Sequence, residues 1–178
     1  AAGTSTNYRL KVTCTETDIS VYSSTVSFTL VYCAAGANET TFEKIENFTL
    51  GTINNNSTST AGYENFTSIS TTLIQGSQYT LSLKNSYPDQ DQAIIWIDFN
   101  QNGNFDDVGE QVYNSGINAN QFITGMITIP NSALLGSTRM RVRLHYTLQN
   151  PNTTPCGNSS FGQVEDYTVI LACPAGIW

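Results

Sequence analysis

Residues 98 to 110 read Asp-Phe-Asn-Gln-Asn-Gly-Asn-Phe-Asp-Asp-Val-Gly-Glu. Oxygen-bearing side chains fall at alternate positions, Asp98, Asn100 and Asn102, and Gly103 follows them. A hard cation such as Ca²⁺ takes about six to eight oxygens at roughly 2.3–2.6 Å, and alternate residues of a curled loop can aim at one point. Glycine at 103 suits the sharp turn of such a loop, where a Cβ would clash. Asn104 would offer its main-chain carbonyl, Asp106 or Asp107 would bind directly or through water, and Glu110 would close the shell with both carboxylate oxygens. The expected cofactor is calcium, with Asp98, Asn100, Asn102, Asn104, Asp106, Asp107 and Glu110 as its ligand set. The plainer alternative is an Asn/Gly-rich turn held by side-chain-to-backbone hydrogen bonds, with no metal.

The spacing departs from an EF-hand loop. Counting Asp98 as the first position, the twelfth is Gly109 and the acid Glu110 comes one later, so a residue near Asp106–Asp107 is expected to bulge out. The entry also differs, because Ala93 to Ile97 is a β-rich apolar run of strand length and not an amphipathic helix. The expectation is a strand–loop calcium site. Asp98→Ala is expected to abolish calcium-dependent stabilisation and to leave the apo melting point nearly unchanged.

Other reactive groups offer less. His145 is the only histidine, and it falls on the polar phase of a strand with Arg139, Arg141 and Arg143, where it reads as solvated. There is no Gly-x-Ser-x-Gly segment, and no enzyme activity is expected. The three arginines read as a cationic stripe paired across strands with carboxylates such as Glu165 or Asp166. Glu165 and Asp166 are adjacent and must point to opposite faces of a strand, one inward and one to solvent. Cysteines at 14, 33, 156 and 173 form no C-x-x-C pair, which argues for disulfides in an oxidising compartment and against zinc. Cys33–Cys156 is the favoured bond, with Cys14–Cys173 as the remainder.

The elements that would position these groups are strands. Tyr8 to Cys14, Val26 to Tyr32, Tyr79 to Leu83, Phe122 to Ile129, Met140 to Tyr146 and Val164 to Leu171 alternate or run apolar between clusters of Gly, Asn, Pro and Ser. That pattern predicts an all-β antiparallel sandwich of jelly-roll or Ig-like type. Pro130 to Gly136 supplies about one helical turn. Residues 1–31 read as two strands joined by Thr15 to Ser24, which pack on the main domain, are the end of a preceding Ig-like module, or serve as a strand-exchange arm. Residues 32–172 read as the main domain, and residues 173–178 as a tail or linker.

The chain has seven basic and fourteen acidic residues, a net charge of −7. Nucleic acid and anionic membranes both need clustered cations, so neither is an expected partner. No apolar run approaches the roughly 18 residues of a membrane span. The N-terminal Ala1–Thr6 lacks a charged and apolar leader, which predicts a trimmed secreted protein or a piece of something longer. Seven Asn-x-Ser/Thr sequons occur, which in a eukaryotic secretory protein would mean heavy glycosylation.

Several motifs then occur in order. Tyr32-Cys33 is followed by Gly62 to Thr67, Gly76 to Leu81, Trp96 to Phe105, Ile129-Pro130, Gly136 to Val142, Cys156, and Phe161-Gly162-Gln163-Val164-Glu165-Asp166-Tyr167. From Tyr32 to Leu171 the sequence resembles the GEVED-domain family. Gln163 stands where the name motif has Glu, so one carboxylate is absent, and Asn102 stands where the family often has Asp. The resemblance implies a non-catalytic β-sandwich accessory module of large secreted or cell-surface bacterial proteins. Expected partners are neighbouring modules or subunits of the same protein, with glycans as a further class. The rival function is a carbohydrate-binding module attached to a secreted hydrolase or protease.

Overall fold

Period-two alternation becomes strand throughout. In the computed structural model the described residues are 4–8, 11–13, 20–22 and 26–174, and they contain fourteen strands and no helix. By its internal contacts the chain divides into two units, Ala1–Tyr32 and Cys33–Trp178.

In the first unit β1 (Thr4–Tyr8) pairs antiparallel with β4 (Val26–Leu30), and β2 (Lys11–Thr13) with β3 (Ser20–Tyr22). Four short strands replace the two expected. The connection from Thr15 to Ser24 itself holds an alternating triplet, Ser20-Val21-Tyr22, which pairs back on Lys11–Thr13.

The second unit holds β5 (Ala35–Glu39), β6 (Ile45–Leu50), β7 (Ile53–Asn56), β8 (Tyr63–Ile74) and β9 (Gln78–Asn85). After them come β10 (Asp91–Ile97), β11 (Gln111–Asn114), β12 (Phe122–Thr128), β13 (Gly136–Tyr146) and β14 (Gly157–Ala172). One sheet runs β11-β10-β13-β14-β5, with β8 also on β14, and the other runs β12-β9-β6-β7. The sandwich is antiparallel except at β14. Its first residues pair in parallel with β5, and its later ones pair in parallel with β8. The residues between Pro130 and Gly136 form a turn closed by the Ala133 amide on the Pro130 carbonyl, not a helix.

The core lies between the two sheets. Ala93, Ile95 and Ile97 of β10, Met140, Val142 and Leu144 of β13, and Tyr167, Val169 and Leu171 of β14 face Phe48, Leu50, Leu81, Leu83, Ile123 and Ile127. Ile45 and Phe48 both turn inward because the register slips between Ile45 and Asn47, and a bulge of this kind resets the alternation.

Much of the opposite phase of the larger sheet is buried as well. Ile94, Trp96, Arg139, Arg141, Arg143, His145, Val164 and Asp166 all have little or no solvent exposure. The arginines and His145 are therefore not on a wet face, as the alternation alone implied. The Phe105 ring lies 5.1 Å from the Arg141 guanidinium, whose Nη1 donates to the carbonyls of Cys33 and Pro155. Arg143 donates to the carbonyls of Gly36 and Gly157. Loop segments thus form a third layer over this sheet. The Cys33–Cys156 disulfide anchors that layer where Gly157 pairs with Ala35, as expected. The second expected bond is not formed. Cys173 is a free, exposed thiol, and Cys14 lies outside the described residues. Pairing by elimination carried no information on distance.

Candidate metal centre

Strand β10 delivers the chain into the oxygen-rich loop, and β11 receives it. At the root, Ile97 N–H donates to the Glu110 carbonyl (2.9 Å) and Asp98 N–H to the Arg139 carbonyl (3.1 Å). Thr138 Oγ1 donates to the Asp98 carbonyl (2.6 Å). Within the loop the Asp98 carboxylate, fully buried, accepts the amides of Asn102 (3.1 Å) and Gly103 (2.9 Å). Asn100 Oδ1 accepts Asn102 N–H, Asn102 Oδ1 accepts Asn104 N–H, and Asn104 Oδ1 accepts the amides of Phe105 and Asp106. Successive Asx turns of this kind curl the main chain around the side-chain oxygens. Gly103 has φ of 86°, the left-handed conformation expected of it, and Gly109 has 90°. Gln101 takes φ of 56° without being glycine, and its side chain is tied to the Leu134 and Leu135 carbonyls.

The carboxylates decide the chemistry. Glu110 is 2% exposed. Its Oε1 accepts the amides of Phe99 (2.9 Å) and Asn100 (3.3 Å), while Oε2 is buried with no hydrogen-bond partner. Burial, and then the charges of Asp98 and Asp107, push the Glu110 carboxyl up to about 7. Asp107 Oδ2 accepts the side-chain amides of Asn100 (2.9 Å) and Asn102 (2.7 Å), which hold its carboxyl below the ordinary value. Asn100, Asp107 and Glu110 share one open cavity of about 420 Å³ with Thr128 and Ser132.

This is an all-oxygen donor set with an orphaned buried oxygen and mutually repelling carboxylates, so it fits a hard cation. Among the described residues no three His, Cys, Asp or Glu side chains gather closely enough to hold an ion by themselves. Asparagine and main-chain carbonyls would have to complete the shell. Three expectations change. Of the two Glu110 oxygens only Oε2 is unoccupied, because Oε1 already holds two amides. Asp106 is exposed and only its N–H is engaged within the loop, so it stands apart from Asp107. Asp98 is a buried cap for two amides, so its replacement by Ala would lower apo stability as well.

The segment Gly162 to Tyr167 is also built inward, but it is closed. Gly162 has φ of 126°, and a Cβ there would collide with the Leu144 carbonyl. Gln163 accepts Ile45 N–H (2.9 Å) and donates to the Ala61 carbonyl (2.9 Å), a donor role that an ionised Glu could not fill. Asp166 grips Arg141 through two bonds of 2.7 and 2.8 Å and accepts from Tyr63 at 2.9 Å. Glu165 points into the other layer and accepts the Tyr167 hydroxyl at 2.6 Å. Neither carboxylate is solvated, contrary to the expectation for one of them.

Fold and loop define a class: an all-β sandwich carrying an acidic, oxygen-lined loop at one end of its larger sheet. The family model of the GEVED domain matches residues 92–170, which take in nearly all of β10 and β14, the strands between them and the whole loop. No curated protein matches the chain.

Proposed function

We propose that the chain is a non-catalytic, calcium-stabilised module that works outside the cell as a structural or adhesive segment of a larger surface protein or filament. The observation that carries this reading is Glu110 Oε2, a buried oxygen without a partner beside Asp107 and the Asn100 amide. An uncompensated buried carboxylate is costly, and a divalent cation is the simplest counter-charge. Bound calcium would supply positive charge where Asp98, Asp107 and Glu110 repel one another, with the Asn100 and Asn102 carbonyl oxygens as further donors. The chain's own part is to hold those oxygens on one rigid curl through Asx turns and the Thr138 and Arg139 contacts.

A structural role is supported by the state of the one histidine. His145 is fully buried, and burial, aided by Arg143, lowers it to about 4, so it is neutral at pH 7. Its two ring nitrogens have no hydrogen-bond partner, and hence no nucleophile to activate. The disulfide suits an oxidising, extracellular setting. Among the described residues no helix is long and apolar enough to cross a membrane. Trp96 is 2% exposed, which removes one ring from any sugar-stacking surface.

Thermal melting in EDTA and in rising calcium tests the reading. A folded-state ligand at a hundredfold excess over Kd adds about 2.7 kcal/mol, and extracellular sites bind at roughly 10⁻⁴–10⁻³ M. The melting point should rise with calcium, and Glu110→Gln, which keeps the amide acceptor, should lose that rise. A melting point indifferent to both EDTA and calcium rules the site out.

A further inference from the structure

A cavity of about 280 Å³, sharing no residue with the loop, is walled by the rings of Phe42, Tyr87, Tyr146 and Phe161 and by the carboxylates of Glu43 and Asp89. Phe42 and Tyr87 lie 5.5 Å apart at 55°, and Tyr146 and Phe161 meet edge-on at 6.4 Å. Phe42 and Tyr87 are half exposed, whereas Glu43 is 5% exposed with Oε2 buried and unpartnered. No lysine or arginine lines this space. Asp91 and Asp89 add their charge to that of Glu43, whose carboxyl is raised first by burial and then by these two.

The walls are fixed in advance. Ser86 Oγ donates to the Phe42 carbonyl and accepts Lys44 N–H, while Ser86 N–H donates to the Lys44 carbonyl. Asn85 Oδ1 accepts Tyr87 N–H, Asp91 Oδ2 accepts Asp89 N–H, and Thr147 N–H binds the Gln90 carbonyl. The buried carboxylate of Asp166 is paired with Arg141. Glu43 is instead left facing a ring-lined opening.

We infer that this cavity binds an organic ammonium group, with the aromatic faces around the cation and Glu43 as its counter-ion. A ring face attracts a cation through its quadrupole, and a desolvated carboxylate strengthens that attraction. A neutral sugar would leave the Glu43 charge uncompensated. The same chemistry comes from two sources, a lysine side chain of another protein or a quaternary ammonium, free or lipid-borne.

Calorimetric titration of the full chain at constant calcium separates these possibilities. The probes are choline, n-butylammonium as a lysine mimic, the neutral choline isostere 3,3-dimethylbutan-1-ol, and methyl glucoside. At least one cation should saturate at millimolar concentration, with the isostere and the sugar about tenfold weaker or silent. Whichever of choline and n-butylammonium binds more tightly identifies the source. Glu43→Gln should bring the preferred cation down to the level of the isostere. Tyr87→Ala, on a half-exposed ring, should weaken it several-fold and serves alone if Glu43→Gln melts out. Equal binding of isostere and cation, binding of the sugar in preference to both cations, or no saturation by either cation would overturn the assignment.

Discussion

The loop at 98–110 and the segment 162–167 of β14 both sink carboxylates to near-zero exposure, yet they solve the charge problem differently. On β14, Asp166 meets Arg141 in a two-bond pair with Arg139 3.5 Å away. In the loop, Asp98 and Glu110 meet main-chain amides, and Glu110 keeps one oxygen bare. Amide dipoles orient a carboxylate without cancelling its charge. Burial therefore marks structure where the chain brings its own cation, and marks a candidate site where a carboxylate oxygen is left bare, as Glu110 Oε2 is. Glu165, next to Asp166, is an intermediate case: its main partner is the Tyr167 hydroxyl, and burial pushes its carboxyl up to about 8.

The contrast is most severely tested by Asp166→Ala. Removing one side of a buried pair leaves the Arg141 guanidinium without its counter-charge, and about 3–5 kcal/mol of stability should be lost in urea unfolding, with no rescue by calcium. A loss no larger than that of a surface substitution would place the loop and β14 in the same category after all. A smaller effect lies in the pH profile. Glu165 and Glu110 are raised to about 8 and about 7 from 4.5, so the folded state holds protons that the unfolded state has released. Their contribution is fully present below about 4.5 and is lost as pH rises through 7 and then 8. Calcium should flatten only the step near 7, and Glu165→Gln only the step near 8. One profile unaltered by either change would break the distinction. The smallest effect belongs to Asp106→Ala, which should shift stability by no more than about 0.5 kcal/mol and leave the calcium response intact. Asp107→Asn, one residue on, should weaken that response about tenfold, as loss of a direct charge contact does.

The strands with clean alternation or an unbroken apolar run were legible: Tyr79 to Leu83, Met140 to Tyr146 and Ala93 to Ile97 all lie in strands. β5, β7 and β8 were not, because Ala, Gly, Ser, Thr and Asn make up half or more of each and β14 recruits β5 and β8 by parallel pairing that leaves no local mark. The loop was legible through oxygen spacing, down to the left-handed Gly103. Its carboxylate roles were not, since sequence cannot tell an Oε1 holding amides from one facing a cation. The burial of Arg139, Arg141, Arg143 and His145 was hidden for a related reason. Period two says which residues oppose the core, but not that a further layer of loops covers them. The ring-lined cavity draws on Phe42-Glu43, Tyr87, Tyr146 and Phe161, stretches too far apart in the chain to announce one another.

The covalent link from Cys33 to Cys156 spans 123 residues and joins the first residue of the second unit to the residue just before β14. Tension applied along the polypeptide would enter at Cys33, cross the sulfurs and continue down β14. Everything between 34 and 155, the acidic curl included, would be mechanically bypassed for as long as the bond survives, whereas the aromatic hollow would feel the load through Phe161 of β14.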